Sequence, residues 1–368
     1  MIEDLSRSWV EVDLAALRHN ARIAASVGPG RLMAVVKANG YGHGAVEVAR
    51  ALETEASVQL FGVAGVGEAL ELKLSGITRP ILILGSCLAD ERKVAIEHNL
   101  IVMVSTLSEA QEFSRLAESL GCLAKVHLSI DTGMGRIGFL PDEWLNQIDE
   151  IFELPGLEIE GVATHFPSAD EDHAFTSSQI VEFSDLIKPY SNRFREVHLA
   201  NSAGLLGYAE QELGTLVRPG LMLYGASPLP GFEHGLRPVM ALKSRVTLVR
   251  NLPAGSGISY GRTHVIKEST SVATVSIGYG DGYMRHLSGR DAEVLVSGKR
   301  CRLLGRVTMD QIMIDVGGLS DVRPGDEVCL FGDPAGLAPT VGELATLAGT
   351  IPWEVLTGIT PRVRRVYL

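Results

Sequence analysis

Cysteine is scarce and scattered, with four in 368 residues, Cys87, Cys122, Cys301 and Cys329, and no Cys-x-x-Cys pair among them. Such spacing supports neither a disulfide framework nor a zinc site, no metal centre is expected, and a reducing compartment suits it. Long apolar runs are also missing, so no membrane span is expected. The first residues, Met1 to Ser6, lack the basic start and apolar stretch of a signal peptide, so a cytoplasmic location is expected. Positive charge is short: 33 Lys and Arg stand against 44 Asp and Glu, a formal net charge of −11. Neutralising phosphates needs clustered Lys and Arg, so a nucleic-acid partner is not expected. The one basic cluster, Arg362-Val363-Arg364-Arg365, reads as the cap of a terminal strand. What the chain does have is apolar residues, 46% of the total, enough for one large core or two ordinary ones.

Between Leu32 and Gly225, eight short apolar runs recur, each followed by a stretch with helical spacing: 32–36, 60–63, 81–84, 101–104, 124–130, 159–164, 197–200 and 216–224. Parallel strands buried on both faces read as continuous apolar runs, and eight of them alternating with helices are the pattern of a (β/α)₈ barrel. An open doubly wound sheet also alternates, but gives no reason for polar residues to follow so many different strands. After about Gly235 the pattern changes to alternating strands with tight turns, as in 242–249, 274–277 and 327–331. The expected architecture is α/β: a TIM-type barrel over residues 10–235, then a mainly β domain over 236–368, joined by residues 1–9. Pro228 to Gly235 reads as the linker, and Thr340-Val341-Gly342-Glu343 as a capping box opening a late helix.

In a barrel of this kind the chemistry sits at the C-terminal ends of the strands. Lys37 follows the first run and opens Ala38-Asn39-Gly40-Tyr41-Gly42-His43-Gly44, a glycine-punctuated loop. A lysine leaving a buried strand is partly desolvated and can become the unprotonated amine that forms a Schiff base; it can equally snorkel to water. Asp131-Thr132-Gly133-Met134-Gly135-Arg136 ends a glycine-rich loop on a guanidinium suited to a carboxylate, or to a structural ion pair. His165, after the sixth run, is a base or a hydrogen-bonded structural residue. Asn201 and Ser202 after the seventh run, with Arg218-Pro219-Gly220-Leu221 in the eighth, match the place where barrels hold phosphate. Tyr260 lies between glycine-containing turns, while Met309-Asp310-Gln311 and Gly278-Tyr279-Gly280-Asp281 are turns that can line an entrance. An amine, a carboxylate clamp and a phosphate site together imply a phosphorylated carbonyl cofactor acting on amino acids, for which pyridoxal 5'-phosphate is the natural candidate. A sugar-phosphate aldolase would place its lysine later in the barrel and needs no second β domain.

With these motifs in this order, from Trp9-Val10-Glu11-Val12-Asp13 to Pro361-Arg362-Val363, the chain resembles the alanine racemases, pyridoxal phosphate enzymes of fold type III. The resemblance implies that Lys37 holds the cofactor and is one catalytic base, with Tyr260 the other. It implies that Tyr41, Ser202 and the backbone of Gly220 and Leu221 hold the phosphate beside Asn201, and that Arg218 faces the pyridine nitrogen. Arg136 and the Met309 backbone would hold the substrate carboxylate, and His165 would touch Arg218 and Tyr260. Asp170, Tyr279, Arg285 and Arg306 resemble the substrate corridor. In the family the tyrosine and methionine come from a partner subunit, so a homodimer with two shared sites is implied.

The two bases have a physical rationale. Racemisation removes the α-proton from one face and returns it to the other, so a group is needed on each side. A tyrosine can serve as a base only beside positive charge, which Arg218 would supply through His165. Three positions depart from the family pattern. Ser129 stands where many members carry a lysine whose carbamate braces the arginine, Pro361 where some have a phosphate-binding tyrosine, and Thr308 where a cysteine is common. The leading expectation is interconversion of L- and D-alanine, supplying D-alanine for peptidoglycan. Alternatives are a serine or broad-specificity racemase, and a non-catalytic pyridoxal phosphate-binding protein; a decarboxylase of the same barrel type fits a tyrosine base less well.

Overall fold

The computed structural model describes residues 6–229, Gly231 and residues 235–368. Met1 to Leu5, and Pro230, Phe232, Glu233 and His234 of the expected linker, lie outside the described residues. The chain opens with strand β1 (Ser8–Val12). Asp13 then caps the helix Leu14–Val27, its carboxylate accepting from the Ala16 amide at 2.8 Å.

Seven of the apolar runs are strands: β2 (Leu32–Val35), β3 (Val58–Val63), β4 (Ile81–Ile83), β5 (Ile101–Val104), β6 (Ala124–Ser129), β7 (Leu157–Ala163) and β8 (Glu196–His198). They pair in sequence order, every neighbour parallel, into one curled sheet. The eighth run differs from expectation. It touches both edges without becoming a regular strand: Val217 bridges Leu32, Met33 donates to the Val217 carbonyl at 2.8 Å, and Arg218 donates to the Ala200 carbonyl at 2.9 Å. Pro219 has no N–H to continue the ladder, and the chain turns at Gly220 into a short 3₁₀ helix, Leu221–Tyr224. The barrel is thus closed by single contacts.

Its interior has two halves. Met33, Leu60, Leu82, Ile101, Met103, Ala163 and Leu216 form one buried apolar cluster. Facing it are buried polar side chains, His127, His198 and Arg218. A barrel interior is ordinarily filled with branched apolar residues, so a polar half needs internal hydrogen-bond partners.

The second domain contains β9 (Met240–Leu252), β10 (Gly257–Ile258), β11 (His264–Val265), β12 (Thr270–Val275), β13 (Glu293–Val296), β14 (Lys299–Leu304), β15 (Ile312–Asp315), β16 (Glu327–Phe331) and β17 (Arg364–Tyr367). Strand β9 pairs with β16 along its first half and with β12 along its second, so β9, β12, β15, β14, β13 and β16 close into an antiparallel barrel. Strand β1 pairs antiparallel with β9 and parallel with β17. The late helix runs Val341–Ala348 with Thr340 and Glu343 in the capping box. Among the described residues no helix is long and apolar enough to cross a membrane.

Candidate active site

Lys37 sits two residues past the end of β2, where the backbone takes an unusual path. Ala38, Asn39, Gly40 and Tyr41 all have φ between 52° and 61°, a left-handed turn. Three of the four are not glycine, and such residues pay about 1–2 kcal/mol each for this conformation. The turn is held from several sides. Glu68 accepts from the amides of Ala38 and Ala64 at 2.7 Å each, Asn39 Oδ1 accepts from Ala45 at 2.9 Å, and Arg365 from β17 donates to the Gly42 carbonyl at 3.0 Å. Strain maintained by so many contacts is typical of a working site.

The turn aims Tyr41 inward. Its ring stacks on Tyr224 at 4.7 Å, Tyr224 donates to the Val35 carbonyl at 3.0 Å, and His43 lies against Tyr224 at 4.6 Å. The Tyr41 hydroxyl thereby reaches Gly220, where a β-carbon would come within 2.4 Å of it. Beside it, Ser202 Oγ accepts from the amides of Gly220 at 2.9 Å and Met222 at 3.3 Å. Asn201 caps the short helix Ser202–Gly207, accepting from Gly204 at 2.9 Å. Hydroxyls and turn amides converge here.

One cavity of about 510 Å³ at the C-terminal end of the barrel strands is lined by Lys37, Tyr41, Arg136, His165, Asp170, Asn201, Ser202, Arg218, Gly220 and Leu221. Leu84, Met103, Phe166, Ile351 and Trp353 add apolar walls. The Arg136 loop is built on Asp131, whose carboxylate accepts from the amides of Gly133, Met134 and Gly135. Arg136 itself is exposed to the cavity and makes no hydrogen bond or ion pair among the described residues. Ser129 lines the same cavity, and its side chain makes no hydrogen bond among the described residues.

Arg218 is 6% exposed and fully engaged on its two terminal nitrogens. Nη1 donates to the His198 carbonyl at 2.6 Å and to His198 Nδ1 at 2.7 Å. Nη2 donates to the carbonyls of Thr164 and Leu199 at 2.8 Å and to His165 Nδ1 at 3.0 Å. Its Nε makes no bond to the described residues. Burial, then Arg136, pulls the Arg218 pKa down to about 9, which still leaves it charged at neutral pH. Burial first, then Arg218, Arg136 and Lys37, lowers His165 to about 3, so it is a neutral imidazole. Because arginine only donates, His165 Nδ1 accepts and its proton is on Nε2. Lys37 is lowered from its usual value by burial and then by Arg136; Glu68 pulls the other way. The site therefore favours a neutral amine on Lys37 among fixed positive charges.

The remaining candidates lie elsewhere. Tyr260 is 71% exposed, Met309 52% and Tyr279 41%, all on the β domain and outside the cavity. They are near one another: Tyr279 donates to the Thr308 carbonyl at 3.0 Å, Gly280 to the Met309 carbonyl at 2.9 Å, and Ser259 Oγ to the Arg306 carbonyl at 2.7 Å. Arg285 is exposed on a 3₁₀ turn of the same domain. Pro361 is exposed and Thr308 Oγ1 is used in its own turn, donating to the Gln311 carbonyl at 2.8 Å. Two residues that the sequence reading passed over are part of the site. Glu68 carried no motif, and His198 was one histidine in an apolar run, which only its pairing with Arg218 distinguishes.

The family model described as alanine racemase, N-terminal domain, matches residues 12–228, and that described as alanine racemase, C-terminal domain, matches residues 239–367. An alanine racemase of Desulforamulus reducens is 44% identical over 370 residues, covering 98% of both chains. An alanine racemase of Carboxydothermus hydrogenoformans is 42% identical, covering 98% of this chain and 99% of its own. Among solved structures, the alanine racemase from D-cycloserine-producing Streptomyces lavendulae superposes with a TM-score of 0.93 at 38% identity, covering 99% of this chain and 97% of that one.

Proposed function

The chain belongs to the alanine racemases, which are isomerases, and from that membership we propose that it interconverts L- and D-alanine with pyridoxal 5'-phosphate by a two-base mechanism. The observation that carries the reading is a single cavity uniting a lysine with a lowered pKa, an unpaired arginine and a buried arginine with one free donor. The residues fit the cofactor. Lys37 is a desolvated amine for its carbonyl, Tyr41 and Ser202 offer hydroxyls beside the Gly220 turn for its phosphate, and Arg218 Nε is an open donor for its ring nitrogen. Gly220 is required there because any side chain would occupy the space under the Tyr41 hydroxyl.

When bound, pyridoxal phosphate acts as an electron sink that acidifies the α-hydrogen of the amino acid. The chain's own residues do the rest. Arg136 grips the substrate carboxylate, helped by the Met309 backbone of a second copy, and so fixes which bond faces each base. Lys37 takes or returns the proton on one face. Tyr260 of the second copy does so on the other, its phenolic oxygen receiving the Nε2–H of His165, which Arg218 polarises. Arg218, still charged at neutral pH, would face the ring nitrogen with an N–H and not a carboxylic acid, which would leave that nitrogen unprotonated and the sink weak, disfavouring transamination. Asp170, Tyr279, Arg285 and Arg306 line the approach.

The exposure of Tyr260, Met309 and Tyr279 in one chain supports a homodimer in which each β domain completes the partner's barrel site. The proposal extends to a barrel domain over 10–235, a β domain over 236–368, and a cytoplasmic role in supplying D-alanine for peptidoglycan. Chiral chromatography after incubation with L-alanine, L-serine and L-lysine plus the cofactor tests the activity. An approach to equal alanine enantiomers, with slower change of the others, is expected. Turnover of serine or lysine alone would overturn alanine as the substrate.

A further inference from the structure

The buried polar half of the barrel forms a directed chain of hydrogen bonds. Arg218 can only donate, so His198 Nδ1 accepts and the His198 proton is on Nε2. That nitrogen lies 2.8 Å from His127 Nδ1 and must donate to it. His127 then carries its own proton on Nε2, pointing away from His198. Burial keeps both rings neutral, lowering His127 to about 3 and holding His198 well below its usual value. His127 lies close against β7, since a β-carbon at Gly161 would come within 2.8 Å of its ring.

The chain ends without an acceptor. His127 is 1% exposed and its Nε2 has no partner among the described residues. A buried donor left unpaired is destabilising, so an acceptor is needed. His127 lines a cavity of about 170 Å³ at the N-terminal mouth of the barrel, the end opposite the active site. Four cationic side chains line it, Arg31, Lys73, Lys125 and Arg195, against two carboxylates. Both carboxylates are engaged: Glu196 takes two bonds from Arg31, at 2.7 and 2.9 Å, and Glu160 faces Lys125 at 3.6 Å. Lys73 has no ion pair or hydrogen bond among the described residues.

We propose that this cavity binds a small monovalent anion, of halide or nitrate size, on His127 Nε2 and Lys73. An anion accepts from the stranded donor and meets the excess positive charge, and the volume admits it with a few waters but no nucleotide or peptide. Bound there, it completes the chain His127–His198–Arg218 from the far side of the barrel. Crystals of the purified protein grown in millimolar sodium bromide should show an anomalous peak within contact distance of His127 Nε2. The thermal midpoint should rise by a few degrees when gluconate is exchanged for bromide at constant ionic strength. His127→Phe should lose both effects. Because that variant replaces a core residue, Lys73→Met at the half-exposed rim is the second test: it should fold normally and lose the bromide-dependent rise. An ordered water with no anomalous signal at His127 overturns the proposal. So does an adventitious ion only, seen as a peak at molar bromide without a midpoint shift at millimolar, or a shift that survives Lys73→Met.

Discussion

Lys37 and Tyr260 carry opposite signatures in one chain: the lysine is half-buried in the cavity, whereas the tyrosine is 71% exposed on another domain. Substituting each therefore has distinguishable consequences. Lys37→Ala is expected to abolish the visible absorbance of lysine-bound cofactor and the activity together. Persistence of that band would assign the cofactor to another lysine. Tyr260→Phe keeps the ring and removes only the oxygen, so cofactor absorbance should be unchanged while turnover falls by about 10²–10⁴, the usual contribution of a positioned base. Exchange of the α-hydrogen in deuterated water should then persist from one enantiomer and fail from the other. Equal exchange from both would remove the assignment. The lysine was legible in the sequence because a strand end and three glycines mark it. His127 and His198 were not: a lone histidine in an apolar run gives no sign that it pairs with another 71 residues away.

Among the elements, the turn after β2 shows where pattern reading ends. Gly40, Gly42 and Gly44 pointed to close approach, yet the left-handed path also runs through Ala38, Asn39 and Tyr41, which no propensity predicts. Tertiary contacts impose it. Gly42 has φ of 83°, and a β-carbon there would come within 2.3 Å of the Leu356 carbonyl in the β domain. Gly42→Ala is expected to cost about 3 kcal/mol or more, since both the backbone angle and a rigid carbonyl oppose it. Ala38→Gly is the contrast. At φ of 53° glycine relieves strain, so stability should be unchanged or rise by up to about 1 kcal/mol. Urea unfolding of both variants checks the pair, and equal destabilisation would mean the turn is not under backbone strain. The eighth barrel run teaches a similar lesson. Its apolar residues gave its position, but Pro219 and Gly220 turned it into bridging contacts, a detail that hydrophobic pattern alone does not encode.

At the scale of the whole molecule, two properties depend on groups far apart. His43, His127, His165 and His198 are held neutral by burial, with pKa values of about 4 for His43 and about 3 for His127 and His165, and with His198 held well below its usual value. Unfolded histidine titrates near 6.5, so their contribution is fully present above that value and is lost as pH falls toward the folded values. Each adds up to about 1.4 kcal/mol per pH unit within that window. The thermal midpoint should therefore decline between pH 6.5 and 5, before carboxylates protonate, and a flat profile there would show that the imidazoles are charged when folded. The second is the proposed sharing of sites, which the sequence alone implied only by resemblance, because Tyr260 does not line the cavity of its own chain. Lys37→Ala and Tyr260→Phe chains, each nearly inactive, can be unfolded, mixed in equal amounts and refolded. If the tyrosine acts across the interface, a mixed dimer has one site lacking both groups and one site with both intact. Random pairing makes half of the dimers mixed, so about one quarter of the original activity should return. If both groups act within one chain, every site in the mixture lacks one of them and nothing returns. The amount recovered thus decides between a shared site and a self-contained one.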